Sequence, residues 1–363
     1  MRLTSFGLYR YELPFSEPLT LKGKVLRHRE GLLLRLDGEE GTYGWGETSP
    51  LPGFSREGLE EAAEQLADLA SSMVGYEVRK DSLVPEGSLA RRLDAMDLAP
   101  SVRFGFELSL WNLYAASCGR SLPEFVTPHP KTAVPVSALI SGPPDEALEE
   151  ARRIRSAGYD AMKLKVGGRA VEEDVELVRA LNEEMDDAVA LRLDANQAWS
   201  LEEAERFARG AAALRFEYVE EPLADPALLP TFARDHSMPV ALDESLADIE
   251  PRALDDHGYA RAVVLKPTLL GGLSRTLRFA SRASRLGMEP VISSAYETGI
   301  GTVALISLSA GVGAAGPAGL DTYRRLAEDV LSPPLDLPVP RVEVRAMVET
   351  RREIDHRMLR PVG

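Results

Sequence analysis

Ala161-Met162-Lys163-Leu164-Lys165-Val166 and Ala190-Leu191-Arg192-Leu193-Asp194 are short apolar runs that carry charge at or near their ends, with an amphipathic stretch between them. The same unit recurs along the chain. Further runs stand at Val134–Leu139, Glu217–Val219, Val240–Leu242, Ala262–Leu265 and Pro290–Ile292, and the intervening segments are rich in Ala, Glu, Arg and Leu, as in Leu201–Ala213. Short buried strands alternating with helices build parallel sheets, because each crossover helix covers a face of the sheet. Seven such units, with an eighth strand near Gly319–Leu320, predict an α/β fold with a (β/α) TIM-type barrel over residues 131–325. A doubly wound open sheet shows the same alternation, so repetition alone leaves both architectures open.

The first 130 residues differ. They open with strand-like material such as Gly31-Leu32-Leu33-Leu34-Arg35-Leu36, ending at the turn signal Asp37-Gly38. Helical spacing follows near Arg56–Ser72 and again at Ser101–Ser117, where Phe104, Leu108, Trp111 and Ala115 recur at steps of four, three and four. Strands first and helices after make this an α+β capping domain, residues 1–130. The tail, residues 326–363, is Pro-rich and then strand-like at Val342–Val348, and is expected to return to the first domain.

Composition bounds the function. A length of 363 residues implies about two domains. A hydrophobic fraction of 44% and a charged fraction of 27% are those of an ordinary globular chain. Forty-two basic against 57 acidic residues give a net charge of −15, which argues against a nucleic-acid binder. The lone Cys118 excludes an internal disulfide and any CxxC metal site. The start of the chain carries no secretory signal pattern. No charge falls between Glu297 and Asp321, but six glycines and Pro317 in that stretch suit a buried barrel helix with its loops better than a membrane span. A cytoplasmic location is expected.

The charged residues sit where barrel chemistry is done, at the C-terminal ends of strands. Those ends carry Lys163 and Lys165, Asp194, Glu220, Asp243 and Lys266, and the steps from Lys165 onward are 29, 26, 23 and 23 residues. Strand-to-loop boundaries are often polar, which accounts for one or two of these but hardly for five consecutive strands. Three carboxylates converging on one point repel each other unless a cation joins them. With oxygen donors and no His or Cys in the pattern, the cation is Mg²⁺ first and Mn²⁺ second. Pairing of each acid with an arginine is the bland alternative.

Lysine usage adds an independent argument. Only seven of the 42 basic residues are Lys, and three of the seven are Lys163, Lys165 and Lys266. Arginine does not release its proton near neutral pH, whereas a lysine beside other cations can act as a base. The Lys-x-Lys spacing puts Lys163 and Lys165 on one side of their strand.

Lys163-Leu164-Lys165, Asp194-Ala195-Asn196, Glu220-Glu221-Pro222, Asp243-Glu244-Ser245 and Lys266-Pro267-Thr268 together resemble the enolase superfamily, in its muconate-lactonizing-like branch with a lysine on each side of the substrate. In the first domain, Gly44-Trp45-Gly46-Glu47 and Pro50-Leu51-Pro52-Gly53-Phe54-Ser55 resemble the o-succinylbenzoate synthase family, as do Pro100–Gly105, Gly271-Gly272-Leu273 and Ser293-Ser294-Ala295-Tyr296-Glu297 further on. This resemblance implies a carbon–oxygen lyase that dehydrates 2-succinyl-6-hydroxy-2,4-cyclohexadiene-1-carboxylate for menaquinone biosynthesis. It implies Lys165 as base, Lys266 across the ring, and Lys163 as the group that tunes Lys165. It implies Asp194, Glu220 and Asp243 as metal ligands, with Asn196 and Glu244 orienting them. Ser293, Ser294, Thr298 and Gly299 are implied to hold the succinyl group, Thr298 standing where a serine is usual.

Other signals carry less. Gly311-Val312-Gly313-Ala314-Ala315-Gly316 fits GxGxxG but follows a helix-like run and not a strand. The five histidines fall in apparent loops or helix ends. A dipeptide epimerase or an N-acylamino acid racemase would use the same lysines and metal, but epimerases of that kind carry Asp-x-Asp on the last strand where this chain has Asp321-Thr322-Tyr323. A muconate-type cycloisomerase has less support from the first domain. A non-catalytic metal-binding barrel used as a scaffold would have no need of Lys165 and Lys266.

Overall fold

The computed structural model describes residues 1–363 apart from 186–188, 314–315, 351 and 363. Seven strands, Ala138–Ile140, Ala161–Lys165, Ala190–Asp194, Val219–Glu220, Val240–Leu242, Ala260–Leu265 and Glu289–Ile292, pair in chain order, each parallel to the next. Ala318 and Gly319 join the two edges, bridging Val136 on one side and Ser293 on the other. There the Ser137 and Ser294 N–H groups donate to the carbonyls of Ala318 and Gly319, both at 2.9 Å. A doubly wound sheet keeps two open edges; here the ring closes, so the fold is the barrel. The strands are buried nearly throughout, which is why they read as unbroken apolar runs.

Barrel helices start where local chemistry places them. Ser200 caps Leu201–Gly210: its hydroxyl accepts from the Glu203 N–H, and the Glu203 carboxylate accepts from the Ser200 N–H at 2.9 Å. The face with Ala204, Phe207 and Ala208 packs inward. The uncharged stretch forms the helix Gly299–Gly311, buried on almost every side, as an all-apolar helix in a globular protein must be. Gly311 ends that helix, and Ala314 and Ala315 of the GxGxxG match lie outside the described residues. Among the described residues, no helix is long and apolar enough to cross a membrane.

The capping domain is a four-stranded antiparallel sheet in the order Leu359–Pro361, Leu3–Leu21, Lys24–Gly38, Tyr43–Thr48. Helices Leu59–Met73 and Pro100–Ser117 pack on it. Glycine permits the close approach of the second: a Cβ on Gly46 would stand 1.9 Å from the Gly105 carbonyl oxygen.

Three details depart from the sequence expectations. The run Val134–Leu139 is two short strands, and Ala133–Pro135 pairs with Arg341–Glu343. Val342–Val348 is not one strand: after Glu343 the chain turns into the helix Val344–Glu349, which buries Val344 and Met347. The alternation at Val342, Val344, Ala346 and Val348 mimics a strand, but the buried pair is spaced by three, and Val348 is exposed. It is Leu359–Pro361 that joins the first sheet, opposite Tyr9–Tyr11. Finally, His28 lies inside a strand, Lys24–Gly38, and not in a loop.

Candidate active site

The C-terminal ends of the barrel strands open into a cavity of about 900 Å³. Leu21, Lys22 and Phe54 of the first domain close one wall, and Ser293, Ser294 and Tyr296 contribute another. Lys163, Lys165, Asn196, Glu220 and Lys266 all line it. Parallel register sets a lateral row across three strands, Lys165 beside Asp194 and Asp194 beside Glu220. Lys163 stands two residues before Lys165 and therefore points to the same face.

Charge pairing is dense. The Lys163 Nζ lies 2.6 Å from Asp194 Oδ2 and 2.9 Å from both oxygens of Glu220. The Lys165 Nζ lies 2.6 Å from the same Asp194 Oδ2 and also donates to Asn196 Oδ1. Lys266 donates to Asp243 Oδ2. Asp194, Glu220 and Asp243 are buried. Burial works against ionisation of Asp194, yet Lys163, Lys165 and Lys266 outweigh it and hold its carboxyl well below the usual range. Glu220 is pushed up, first by burial and then by the neighbouring Asp194 carboxylate. Burial lowers Lys163 and Lys266, but the surrounding carboxylates, Asp194 for the first and Asp243 for the second, raise both above the ordinary lysine value.

A further tier fixes these groups. The Asn196 N–H donates to Asp194 Oδ1 at 3.0 Å, and its side-chain amide donates to Glu244 Oε1 at 3.0 Å. Glu221 was not singled out from the sequence, although it lies inside the quoted Glu220-Glu221-Pro222. Fully buried, it accepts from the Asp243 and Ser245 N–H groups at 2.9 and 2.8 Å and from the Ser245 hydroxyl at 2.8 Å, which pins the Asp243 strand end. Glu297 does the same for the serine loop, accepting from Thr268 Oγ1, Ser294 Oγ and the Ala295 N–H.

The four residues expected to touch a substrate divide. Ser293 and Ser294 line the cavity; Thr298 and Gly299 do not. Thr298 is the N-cap of Gly299–Gly311, and its N–H and hydroxyl donate to Glu47 of the first domain, the hydroxyl at 2.6 Å. The Gly299 N–H donates to Asp329 Oδ1 at 2.9 Å. A helix start must satisfy its free N–H groups, and here two buried carboxylates do so. Arg29, another buried residue missed in the sequence, ties the domains together: its guanidinium donates to the Pro50 carbonyl at 2.6 Å and to that of Tyr296 at 3.0 Å.

Residues 146–347 match the family described as Enolase C-terminal domain-like, and residues 3–113 match MenC, N-terminal domain. The chain is 32% identical over 343 residues to the o-succinylbenzoate synthase of Klebsiella pneumoniae (strain 342), covering 94% of this chain and 97% of that one. It belongs to the o-succinylbenzoate synthase family. Solved structures agree in fold. The muconate lactonizing enzyme of Pseudomonas fluorescens, complexed with muconolactone, superposes with a TM-score of 0.86 at 22% identity over 98% of both chains. The dipeptide epimerase of Enterococcus faecalis V583, complexed with Mg and a dipeptide, gives 0.84 at 22% identity, over 95% of this chain and 97% of that one.

In this member of the family, Asp194, Glu220 and Asp243 suit a hard divalent cation by chemistry: their donors are carboxylate oxygens from three neighbouring strand ends, shielded from water. Among the described residues, no three Asp, Glu, His or Cys side chains stand together as a ready-made cage. The lysines take the carboxylate oxygens instead, so a dication would compete with ammonium groups for them.

Proposed function

We propose that the protein dehydrates 2-succinyl-6-hydroxy-2,4-cyclohexadiene-1-carboxylate to o-succinylbenzoate, acting as a hydro-lyase in menaquinone biosynthesis. The observation that carries this is the meeting of Lys163, Lys165 and Lys266 with three strand-end carboxylates around one cavity, in a chain related over nearly its whole length to o-succinylbenzoate synthases.

Lys165 takes the proton α to the ring carboxylate onto Nζ. As the ring C–O bond breaks, the same nitrogen returns that proton to the departing oxygen, and water leaves from the face that lost the proton. One base working on one face gives syn elimination, and the ring becomes aromatic. The strands bearing Lys165 and Lys266 are second and sixth around the closed ring, so Lys266 approaches from the opposite wall and its ammonium opposes the developing negative charge. Asp194, Glu220 and Asp243 would hold Mg²⁺ or Mn²⁺, which supplies positive charge beside the substrate carboxylate. Lys163 donates to that carboxylate and steadies Asp194 and Glu220. Asn196 and Glu244 keep the Asp194 end oriented. Ser293 offers its hydroxyl to the succinyl chain, Ser294 shapes the wall beside it with its own hydroxyl committed to Glu297, and residues 1–130 with 326–363 act as the cap over barrel residues 131–325.

The epimerase alternative has no matching feature on the last strand. Tyr323 stands where the second acid of Asp-x-Asp would be, and its hydroxyl donates to Asp329 Oδ2 at 2.7 Å.

The test follows the loss of the dehydration substrate's absorbance, with Mg²⁺ and then with EDTA. Metal-dependent conversion to o-succinylbenzoate, lost in Lys165→Ala, is the expected result. An inert protein with intact fold would sink the assignment and turn attention to dipeptides and N-acylamino acids.

A further inference from the structure

A second cavity, about 700 Å³, lies between the capping domain and the barrel, away from the strand-end carboxylates. Its lining carries seven arginines against three carboxylates, Glu86, Asp94 and Glu250, on a chain whose net charge is −15. The inner arginines are Arg103, Arg275 and Arg278. Arg103 and Arg278 share Asp94, at 2.6 and 2.8 Å, Arg103 also pairs with the buried Glu107 at 3.2 Å, and Arg275 reaches Glu250 at 3.2 Å. These acids do not exhaust the donors: among the described residues, the Nε atoms of Arg275 and Arg278 are buried without a hydrogen-bond partner. Burial, with Arg103 and Arg278 as neighbours, holds Arg275 below the ordinary guanidinium value in spite of Glu250.

At the rim, Arg282 pairs with Asp255. Arg56, Arg252 and Arg285 are exposed and make no ion pair or side-chain hydrogen bond among the described residues. Part of the wall is apolar, with Leu93, Met96, Leu98 and Leu270. Crowded guanidinium groups with unmet donors are costly without a counter-anion, and their planar forks match phosphate oxygens in pairs. A bare phosphate fills little of the volume, and a single carboxylate leaves part of the surplus positive charge unmatched.

We propose that this arginine-lined cleft is a binding site for a compact organic phosphate, its phosphates on the arginines and its body against the apolar wall. Leu269 lines both this cleft and the strand-end cavity, so the short helix Pro267–Leu270 after Lys266 is the partition between the two. The proposal goes beyond the dehydration and does not depend on it.

Calorimetric titration of the full chain with ADP, with pyrophosphate and with citrate, in buffer free of divalent cations, tests it. ADP and pyrophosphate are expected to bind, ADP more tightly, and Arg275→Gln/Arg278→Gln is expected to weaken both by ~tenfold or more. Because that pair is partly buried, Arg252→Gln/Arg285→Gln at the rim serves as the second variant, expected to weaken binding ~threefold with an unchanged melting temperature. Absence of binding up to ~10 mM, a weak limit on the affinity scale, overturns the site. So does equal affinity in the parent and both variants, which would place the anion on the strand-end lysines. Citrate binding as tightly as ADP overturns the phosphate assignment.

Discussion

In the proposed dehydration Lys165 takes a proton and then returns it to the leaving hydroxyl, a cycle open to an amine and closed to a guanidinium. Lys165→Arg keeps the charge and loses the base, because guanidinium does not deprotonate near neutral pH. Its kcat is expected to fall ~10²–10⁴-fold or more, as for loss of a general base, with KM little changed. A kcat within a few fold of the parent would remove Lys165 from that role. Asp174 makes a different case. It accepts from the Gly167 N–H at 2.7 Å and faces Arg169 at 3.0 Å, yet burial pushes it up to about 6. The folded carboxyl therefore keeps its proton to higher pH than the unfolded one. Its stabilising share is full below about pH 4 and is lost as pH rises to about 6, a change of about 3 kcal/mol. Asp174→Asn removes that slope. Relative to the parent, its melting temperature is expected to climb between pH 4 and pH 7; parallel curves would show that Asp174 does not carry the shift. At this scale the lysines and the strand-end acids were legible, because spacing and residue scarcity single them out. Thr298 and Gly299 were not, since nothing local reveals that Glu47 and Asp329, far away in the chain, satisfy that helix start.

Between elements, the tightest joint is the one between the strand Tyr43–Thr48 and the helix Pro100–Ser117. Gly46→Ala would press a methyl group against the Gly105 carbonyl, so the helix must lift from the sheet. A loss of about 2–3 kcal/mol, typical of overpacking, is expected in denaturant unfolding; a variant as stable as the parent would mean that this joint is slack. Strand and helix periods made most elements readable, with ends displaced by one to three residues, as for Leu59–Met73 against the expected 56–72. The misreading at Val342–Val348 arose because its apolar residues fit periods of two and of three to four at once. Pairing of Arg341–Glu343 with Ala133–Pro135 ends the strand at Glu343 and leaves Val344 and Met347 to pack as a helix.

At the centre of the molecule three lysines and three carboxylates pair, and a dication would take carboxylate oxygens from the ammonium groups. Adding Mg²⁺ to EDTA-treated protein is expected to raise the melting temperature by mass action, about 2.7 kcal/mol at a hundredfold excess over Kd. Glu220→Gln should shrink that gain, and a parent melting temperature indifferent to Mg²⁺ would count against the carboxylate trio as its site. By itself the sequence determined the alternation of strand and helix, the charged strand ends and the lysine pair, because periodicity and residue type are local properties. Closure of the ring through Ala318 and Gly319, the seating of the cap by Arg29 and Glu47, and the gathering of seven arginines at the domain boundary were decided only by the tertiary structure. Each joins residues distant in the chain, and such meetings are set by packing and by the need to satisfy buried polar groups, which no local pattern records.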